Sequence, residues 1–167
     1  MSSNGLHKGD MTPIYIDLRR IISSPRTLRM TAQALCEIII AKGLNDILDI
    51  PMLMKRKETK SYGARKAIEG VFTPGNTVLL IEDVVTSGES SREIAEALRE
   101  EGLKVADSVA VLGRQQGAIE GLAKADINFY SALTMDLILD GMISKNEITV
   151  ERKHEIVEHL KKPFKKA

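Results

Sequence analysis

Apolar residues along the chain form two kinds of pattern, short apolar-rich runs and longer stretches with a helical period. Short apolar runs bounded by polar residues are typical of buried strands, and they predict strands at Val78 to Ile81, Val105 to Leu112 and Ile127 to Ala132. Apolar residues spaced three or four apart predict amphipathic helices at Ser90 to Glu101, Gly117 to Ala125, Met135 to Ile143 and Val150 to Leu160. Strands that alternate with helices predict an α/β fold with a mainly parallel sheet and right-handed crossovers.

In the first half of the chain, the strand and helix patterns are weaker. Pro13 to Arg19 alternates enough to predict a short strand. Ser24 next to Pro25 predicts a helix start, because serine caps helices and proline fits the first helical position, and the apolar face that follows runs to Gly43. Two smaller features complete the pattern, a short buried strand at Met52 to Met54 and a turn at Thr73 to Asn76.

Composition sets limits on the class of protein. A chain of 167 residues can bury a real core, and no repeat or linker divides it, so we expect one domain over residues 1–167. The 24 Lys and Arg nearly balance the 23 Asp and Glu, and the net charge of +1 gives no indication of nucleic-acid binding. No apolar run approaches the roughly 20 residues of a membrane helix, and the amino terminus lacks the apolar stretch of a signal peptide. We therefore expect a cytoplasmic protein without a membrane partner.

The most informative segment joins a strand to a helix at residues 82–90. Glu82 and Asp83 follow the apolar run, at the strand end where open α/β sheets place their ligands. Hydroxyl residues surround Gly88, which can adopt a positive φ and let neighbouring N–H groups point toward an anion. The helix start, predicted from a capping box of Ser90 and Glu93, adds donors and a partial positive charge. This combination favours a pocket for a phosphorylated sugar over an ordinary strand-to-helix turn.

The segment resembles the phosphoribosyl pyrophosphate (PRPP) motif of type I phosphoribosyltransferases, which is a long and ordered pattern. The resemblance implies that Glu82 and Asp83 bind the ribose hydroxyls, that Asp83 belongs to the catalytic residues, and that the turn wraps the 5′-phosphate. The PRPP-binding residues implied in this segment are Glu82, Asp83, Val84, Val85, Thr86, Ser87, Gly88, Glu89 and Ser90.

A basic run follows the predicted strand at Met52 to Met54. It holds four cations within six residues, beginning at Lys55, and alone it is typical of a solvated loop. Beside a sugar-phosphate site, such cations can close over a pyrophosphate leaving group. The run resembles the flexible catalytic loop of orotate phosphoribosyltransferases. The resemblance implies that Arg56, Lys57 and Lys60 are catalytic and bind PRPP, together with Tyr62.

Two further segments resemble base-binding parts of the same family. Thr12 to Arg19, on pattern alone a strand, resembles part of a small amino-terminal hood, here about residues 1–20. Arg114 follows a strand end, where it is either a surface arginine or a bidentate clamp for a carboxylate. The family usually reads Asp-Arg-Glu-Gln-Gly here, so Gly113 and Gln115 depart from it. The orotate-binding residues that the resemblance implies are Tyr15, Ile16, Thr86 and Arg114.

The resemblance covers nearly the whole chain, including similarity to the amino-terminal domain of eukaryotic uridine monophosphate synthase, but it has one gap. The family has a central strand, a glycine-containing pyrophosphate loop and a helix before the strand that begins at Pro51. Here Ile50 runs directly into Pro51. We therefore expect a type I phosphoribosyltransferase-like sheet, flanked by helices, that lacks one core strand and one helix. Such a loss leaves the hydrogen-bonding groups of the neighbouring strand unpaired.

The implied reaction transfers the phosphoribosyl group of PRPP to orotate, giving orotidine 5′-monophosphate and pyrophosphate in pyrimidine biosynthesis. The resemblance also implies a homodimer and a Mg²⁺ cofactor held mainly by substrate oxygens rather than by protein ligands. Two alternatives remain open. One is a phosphoribosyltransferase for another base, and the other is a catalytically impaired protein that binds PRPP or a nucleotide, or pairs with a full-length homologue.

Overall fold

The structure, a computed structural model, describes residues 14–44, 52–55 and 68–162. Six helices and five strands lie in these ranges. The helices are α1 (Arg19–Ile22), α2 (Pro25–Ala41), α3 (Glu89–Glu100), α4 (Ala118–Ala123), α5 (Met135–Ser144) and α6 (Val150–Leu160). The strands are β1 (Met54–Lys55), β2 (Ile68–Glu69), β3 (Thr77–Val85), β4 (Lys104–Gly113) and β5 (Asn128–Thr134). No helix in the described ranges is long and apolar enough to cross a membrane.

The strands form two separate sheets. β3, β4 and β5 lie side by side in that order and are all parallel, with Val84 opposite Leu112 and Leu112 opposite Leu133. Helices α3 and α4 connect consecutive strands of this sheet. β1 and β2 form an antiparallel ribbon of two residues each. The predicted α/β class with a parallel sheet and flanking helices is confirmed.

β4 is the central strand, and helices cover both of its faces. Ala110 packs in a buried cluster with Leu98 of α3 and Leu122 of α4. Its neighbour Val109 packs with Ile39 of α2, and adjacent residues of a strand point to opposite faces. A third cluster joins the end of β4 to α5 and α6 through Leu112, Met135, Leu139, Ile156 and Leu160. The apolar run in β4 is therefore explained by burial on both sides of the sheet.

Helix α3 begins and ends at glycines. The amino-terminal cap is Gly88 in the left-handed conformation, so the capping box predicted from Ser90 and Glu93 is wrong, and the helix starts one residue earlier than expected. At the other end, Gly102 has φ 81°, and the N–H of Leu103 reaches back to the carbonyl of Leu98 at 3.1 Å. This is a Schellman motif, which confirms the predicted helix stop.

The amino-terminal segment differs from its prediction. Residues 14–18 form no regular element and α1 follows, so the strand expected over Pro13 to Arg19 is wrong in the part that the structure describes. Asp17 Oδ1 accepts hydrogen bonds from the backbone N–H of Arg19 at 3.0 Å and from its Nε at 2.8 Å. Local hydrogen bonds of this kind compete with a strand ladder. The side-chain hydrogen bond from Arg19 also lowers the pKa of Asp17 to about 2.

The strand expected at Met52 to Met54 is shorter and more exposed than predicted. Only Met54 of the three belongs to β1, and the relative exposures are 78% for Met52 and 57% for Met54. Leu53 alone packs against the core. Ile68 of β2 is buried in the same core, so within the predicted strand the apolar run indicates burial for Leu53 but not for Met52 or Met54.

β3 is an outer strand of the parallel sheet. One edge pairs with β4, and no strand among the described residues pairs with the other edge. Ile81, in the middle of β3, is 61% exposed. An apolar strand with an open edge is what the predicted loss of a neighbouring strand would leave.

Candidate active site

The turn between β3 and α3 is held by two close contacts with α4. Gly88 has φ 78°, and a Cβ placed on it would lie 2.7 Å from Leu122 Cγ. On the facing helix, a Cβ on Gly121 would lie 2.6 Å from the carbonyl oxygen of Ser87. Both positions therefore require glycine, and the backbone of the turn is fixed against α4.

This fixed turn opens directly into the start of α3. Because Gly88 has no side chain, the first turn of the helix receives no side-chain hydrogen bond from its cap. The first N–H groups of an α-helix have no partner within the helix, and the helix dipole places a partial positive charge there. The hydroxyls of Thr86, Ser87 and Ser90 stand beside these donors in the sequence. The arrangement is well suited to a phosphate group.

The two carboxylates at the end of β3 have different surroundings. Glu82 is half-buried, and its Oε1 accepts a 3.0 Å hydrogen bond from the hydroxyl of Ser91, which is 2% exposed. Burial raises the pKa of Glu82 above its ordinary value, the Ser91 hydrogen bond lowers it, Asp83 raises it, and Lys55 lowers it. Asp83 is exposed and accepts a 2.7 Å hydrogen bond from the N–H of Val84. Glu82 thus faces α3, whereas Asp83 is accessible to a ligand.

A groove of about 580 Å³ runs beside this strand end. The amino-terminal segment contributes Tyr15 and Ile16, β3 contributes Glu82 and Asp83, and α2 supplies apolar residues such as Leu35. The structure therefore brings the predicted hood residues next to the predicted ribose-binding acids. Thr86 and Arg114 are not among the residues that line the groove.

Arg114 lies at the same end of the sheet as the β3–α3 turn. Its backbone N–H donates a 2.9 Å hydrogen bond to the carbonyl oxygen of Val85, so Arg114 lies next to the start of the turn at Thr86. The side chain is half-buried, and burial lowers the pKa of its guanidinium. The preceding Gly113 has no room for a side chain, since a Cβ would lie 2.9 Å from Ser131 Oγ. A side chain at this position would require Ser131 to move, so glycine suits the packing between β4 and β5.

Comparison with known proteins identifies the family. The chain is 60% identical to an orotate phosphoribosyltransferase of Caenorhabditis elegans over 178 positions, which cover 95% of this chain and 78% of that protein. The chain belongs to the orotate phosphoribosyltransferase family. A scan against protein-family models finds no match.

Two longer proteins also match this chain. The uridine 5′-monophosphate synthase of Bos taurus is 38% identical over 165 positions, covering 87% of this chain and 34% of that protein. The structure of Leishmania donovani UMP synthase superimposes with a TM-score of 0.77 and 28% identity, covering 95% of this chain and 38% of the other. The chain therefore spans little more than a third of these two proteins. The structural match confirms the fold that the sequence resemblance implies.

The match to the C. elegans protein also bears on the expected gap. It runs over 178 positions but covers 95% of the 167 residues of the chain, which is about 159 residues, so about 19 matched positions have no residue of this chain. That relative therefore has residues, inside the matched stretch, for which this chain has no counterpart.

Several site residues predicted for an orotate phosphoribosyltransferase cannot be placed. Arg56, Lys57, Lys60 and Tyr62 lie outside the described residues, so their roles stay predictions. Lys55, the first cation of the run, is described in β1, and its charge lowers the pKa of Glu82. Sequence reasoning counted Lys55 in the basic run but did not assign it to the site.

Ser91 is a second site residue that sequence reasoning missed. The neighbouring Ser90 was predicted to bind phosphate, although the structure leaves Ser90 exposed and buries Ser91 against Glu82. Helical periodicity was the available signal, because Ser91, Ala95 and Leu98 are spaced along one face of α3 and are all buried.

The family resemblance implies a Mg²⁺ cofactor. The carboxylates at the end of β3 are the described residues that could contact it. The described ranges contain no group of three or more His, Cys, Asp or Glu that could hold a metal ion. They do place two adjacent carboxylates, Glu82 and Asp83, just before the turn between β3 and α3 that is suited to a phosphate group. In sites of this kind Mg²⁺ takes one or two carboxylates together with phosphate oxygens of the substrate. The residues present fit a Mg²⁺ bound together with its substrate.

Proposed function

We propose that this chain transfers the phosphoribosyl group of PRPP to orotate, giving orotidine 5′-monophosphate and pyrophosphate. The observation that carries the proposal is the glycine turn fixed between β3 and α4, with two acids before it and a helix start after it. An anion site and a hydroxyl-binding pair on one short segment match a ribose that carries a 5′-phosphate. Membership of the orotate phosphoribosyltransferase family supports the choice of reaction.

In this proposal, the turn residues bind PRPP through backbone and hydroxyl donors. Thr86 to Ser90 surround the 5′-phosphate, and Val84 and Val85 fix the approach of the backbone to the turn. Asp83, the accessible acid, binds the ribose hydroxyls and stands near the positive charge that develops on the ribose. Glu82 shares the ribose hydroxyls while Ser91 orients its carboxylate.

Orotate binds on the opposite side of the ribose in this proposal. Arg114 pairs with the carboxylate of orotate through two parallel hydrogen bonds, for which a guanidinium has the right geometry. Thr86 is next to Arg114 because Val85 and Arg114 are hydrogen-bonded. Tyr15 and Ile16 cover the base from the amino-terminal hood. The ring nitrogen of orotate forms a bond to the anomeric carbon and releases its proton to solvent, and the bond from that carbon to pyrophosphate breaks with its electron pair leaving on oxygen.

In this proposal, the basic run and the Mg²⁺ cofactor act on the pyrophosphate leaving group. Arg56, Lys57 and Lys60 neutralise the pyrophosphate, and Tyr62 adds a further contact, while Lys55 extends the positive charge to the acids of β3. Mg²⁺, held by substrate oxygens beside Glu82 and Asp83, supplies further charge neutralisation when it is bound. We also propose that the enzyme is a homodimer and acts in the cytoplasm, as the family resemblance implies.

The test is an assay of orotate consumption by the purified chain with PRPP and Mg²⁺. Loss of orotate together with stoichiometric release of pyrophosphate supports the proposal, and the Lys60→Ala variant serves as a control with a strongly reduced rate. PRPP consumption with a different base, and none with orotate, would assign another base. Calorimetric binding of PRPP without any consumption would instead assign a non-catalytic binding protein.

A further inference from the structure

The loop between β4 and α4 contains a residue in a conformation that its side chain does not favour. Gln115 has φ 57°, in the left-handed region. Two other non-glycine residues in the described ranges share this conformation, and they are Asp126 and Asn146, whose short side chains tolerate it. A glutamine gains no such local support. A strained backbone of this kind persists only where the surrounding contacts hold it.

Two hydrogen bonds to Asp136 hold Gln115. Gln115 Nε2 donates to Asp136 Oδ2 at 3.0 Å, and the backbone N–H of Asp136 donates to Gln115 Oε1 at 2.9 Å. The second bond satisfies one of the N–H groups at the start of α5, where Thr134 satisfies the next by accepting from Leu137 at 3.3 Å. Lys153 lies 3.7 Å from the other carboxylate oxygen of Asp136, which leaves Oδ2 for Gln115.

This pair fixes the residue that follows Arg114. Gly113, just before Arg114, lies opposite both Val85 and Thr134 in the sheet, and Arg114 itself is hydrogen-bonded to Val85. Arg114 is therefore held on its amino-terminal side by β3 and on its carboxyl-terminal side by α5. A half-buried guanidinium at this position takes its direction from a backbone that is anchored at both ends.

We propose that Gln115 is a positioning residue that aims Arg114 at the base, and that Asp136 is its matched partner. The proposal rests on the assignment of Arg114 to orotate. It also accounts for a departure from the family, which usually has glutamate where this chain has Gln115. A glutamate here would place a carboxylate oxygen against Asp136 Oδ2, whereas the glutamine amide donates to it.

Three variants test the proposal, namely Gln115→Glu, Asp136→Asn and the double variant. In Gln115→Glu, two carboxylates repel each other, so we expect the KM for orotate to rise about fivefold while the KM for PRPP changes by less than about twofold. In Asp136→Asn, the asparagine carbonyl still accepts from Gln115, so we expect both KM values within about twofold of the original chain. In the double variant, the asparagine amide can donate to the introduced carboxylate, so we expect the orotate KM to recover.

The result that would overturn the proposal is a double variant as impaired as Gln115→Glu, or a Gln115→Glu variant that changes both KM values equally or neither. Amide hydrogen exchange of the peptide over residues 113–117 gives a readout that does not need turnover. We expect faster exchange in Gln115→Glu and original rates in the other two variants. If the original chain does not consume orotate, the proposed function falls, and unchanged exchange in Gln115→Glu would separately show that Gln115 does not hold the loop.

Discussion

Ser91 Oγ donates a 3.0 Å hydrogen bond to Glu82 Oε1, although one residue lies in α3 and the other in β3. The bond links the strand that carries the acids proposed to bind the ribose to the helix whose start is the proposed phosphate site. It also sets opposing influences on one carboxylate, because burial raises the pKa of Glu82 while this hydrogen bond lowers it. Glu82 is therefore a carboxyl whose charged form is disfavoured by burial and favoured by its hydrogen bond to Ser91.

The first prediction concerns Glu82→Gln. A carboxyl whose pKa is raised in the folded state is most favourable to folding when it is protonated, and that contribution is lost as the pH rises through the folded pKa. Replacing Glu82 by a neutral amide removes a carboxyl whose charged form burial disfavours, so the melting temperature at pH 7 should rise, while turnover should fall at least about tenfold. Thermal melts at pH 7 and pH 4, with steady-state kinetics at pH 7, measure both effects.

The pH dependence provides the check on this prediction. As the pH falls below the ordinary glutamate pKa of 4.5, Glu82 becomes increasingly protonated in both the folded and the unfolded chain, so the melting temperatures of the two proteins should approach each other. A Glu82→Gln protein that is less stable than the original at pH 7, or whose difference persists unchanged at pH 4, contradicts the account of Glu82.

The second prediction compares two buried serines. Ser91 is 2% exposed and Ser108 is 0% exposed, but only Ser91 has a partner, since Ser108 Oγ makes no hydrogen bond within the described part of the chain. Ser91→Ala should lower the free energy of unfolding by about 1–2 kcal/mol, because it leaves Glu82 without its donor. Ser108→Ala should be neutral or stabilising, because it removes a buried hydroxyl that has no partner. Chemical denaturation of both variants measures the difference, and equal losses would contradict it.

The parallel sheet could be predicted from sequence because its signals are local. The apolar runs of β3 and β4 and the periodic face of α6 each depend on a few neighbouring residues, and the predicted bounds of α6 agree with the structure at Val150 and Leu160. The family motif at residues 82–90 is likewise continuous in the sequence, so its place between β3 and α3 followed from the order of elements alone.

The relationships that the sequence did not reveal depend on tertiary contacts. Nothing in the sequence of α4 indicates that Leu122 closes over Gly88, or that Asp136 reaches Gln115 across 21 positions. The strand expected over Pro13 to Arg19 failed for the opposite reason, since the local hydrogen bonds of Asp17 outweighed a weak alternating pattern. Propensity and hydrophobic pattern indicate which secondary structures a segment can adopt, and its packing and hydrogen bonds in the folded chain determine which one forms.

The third prediction concerns the turn glycine. Gly88→Ala combines a left-handed backbone with a Cβ 2.7 Å from Leu122 Cγ, so we expect a loss of about 2–3 kcal/mol in the free energy of unfolding and a sharp rise in the KM for PRPP. Gly75→Ala is the matched control, because Gly75 has φ 95° and a Cβ placed on it would meet open space. It should cost only about 1 kcal/mol and leave the KM for PRPP unchanged. Similar kinetic effects at both glycines would mean that the turn does not shape the phosphate site.

The fourth prediction separates the two substrates at Arg114. If its guanidinium pairs with the carboxylate of orotate, Arg114→Ala should raise the KM for orotate about thirtyfold or more and change the KM for PRPP by less than about twofold. The KM for orotate of Arg114→Lys should lie between the values of the original chain and of Arg114→Ala, because lysine keeps the charge but cannot make two parallel hydrogen bonds to the carboxylate. Uracil, a pyrimidine without the carboxylate, should inhibit the original chain and Arg114→Ala equally. Equal weakening of orotate and PRPP in Arg114→Ala would remove Arg114 from base recognition, since a general disturbance at the end of the sheet would affect both substrates alike.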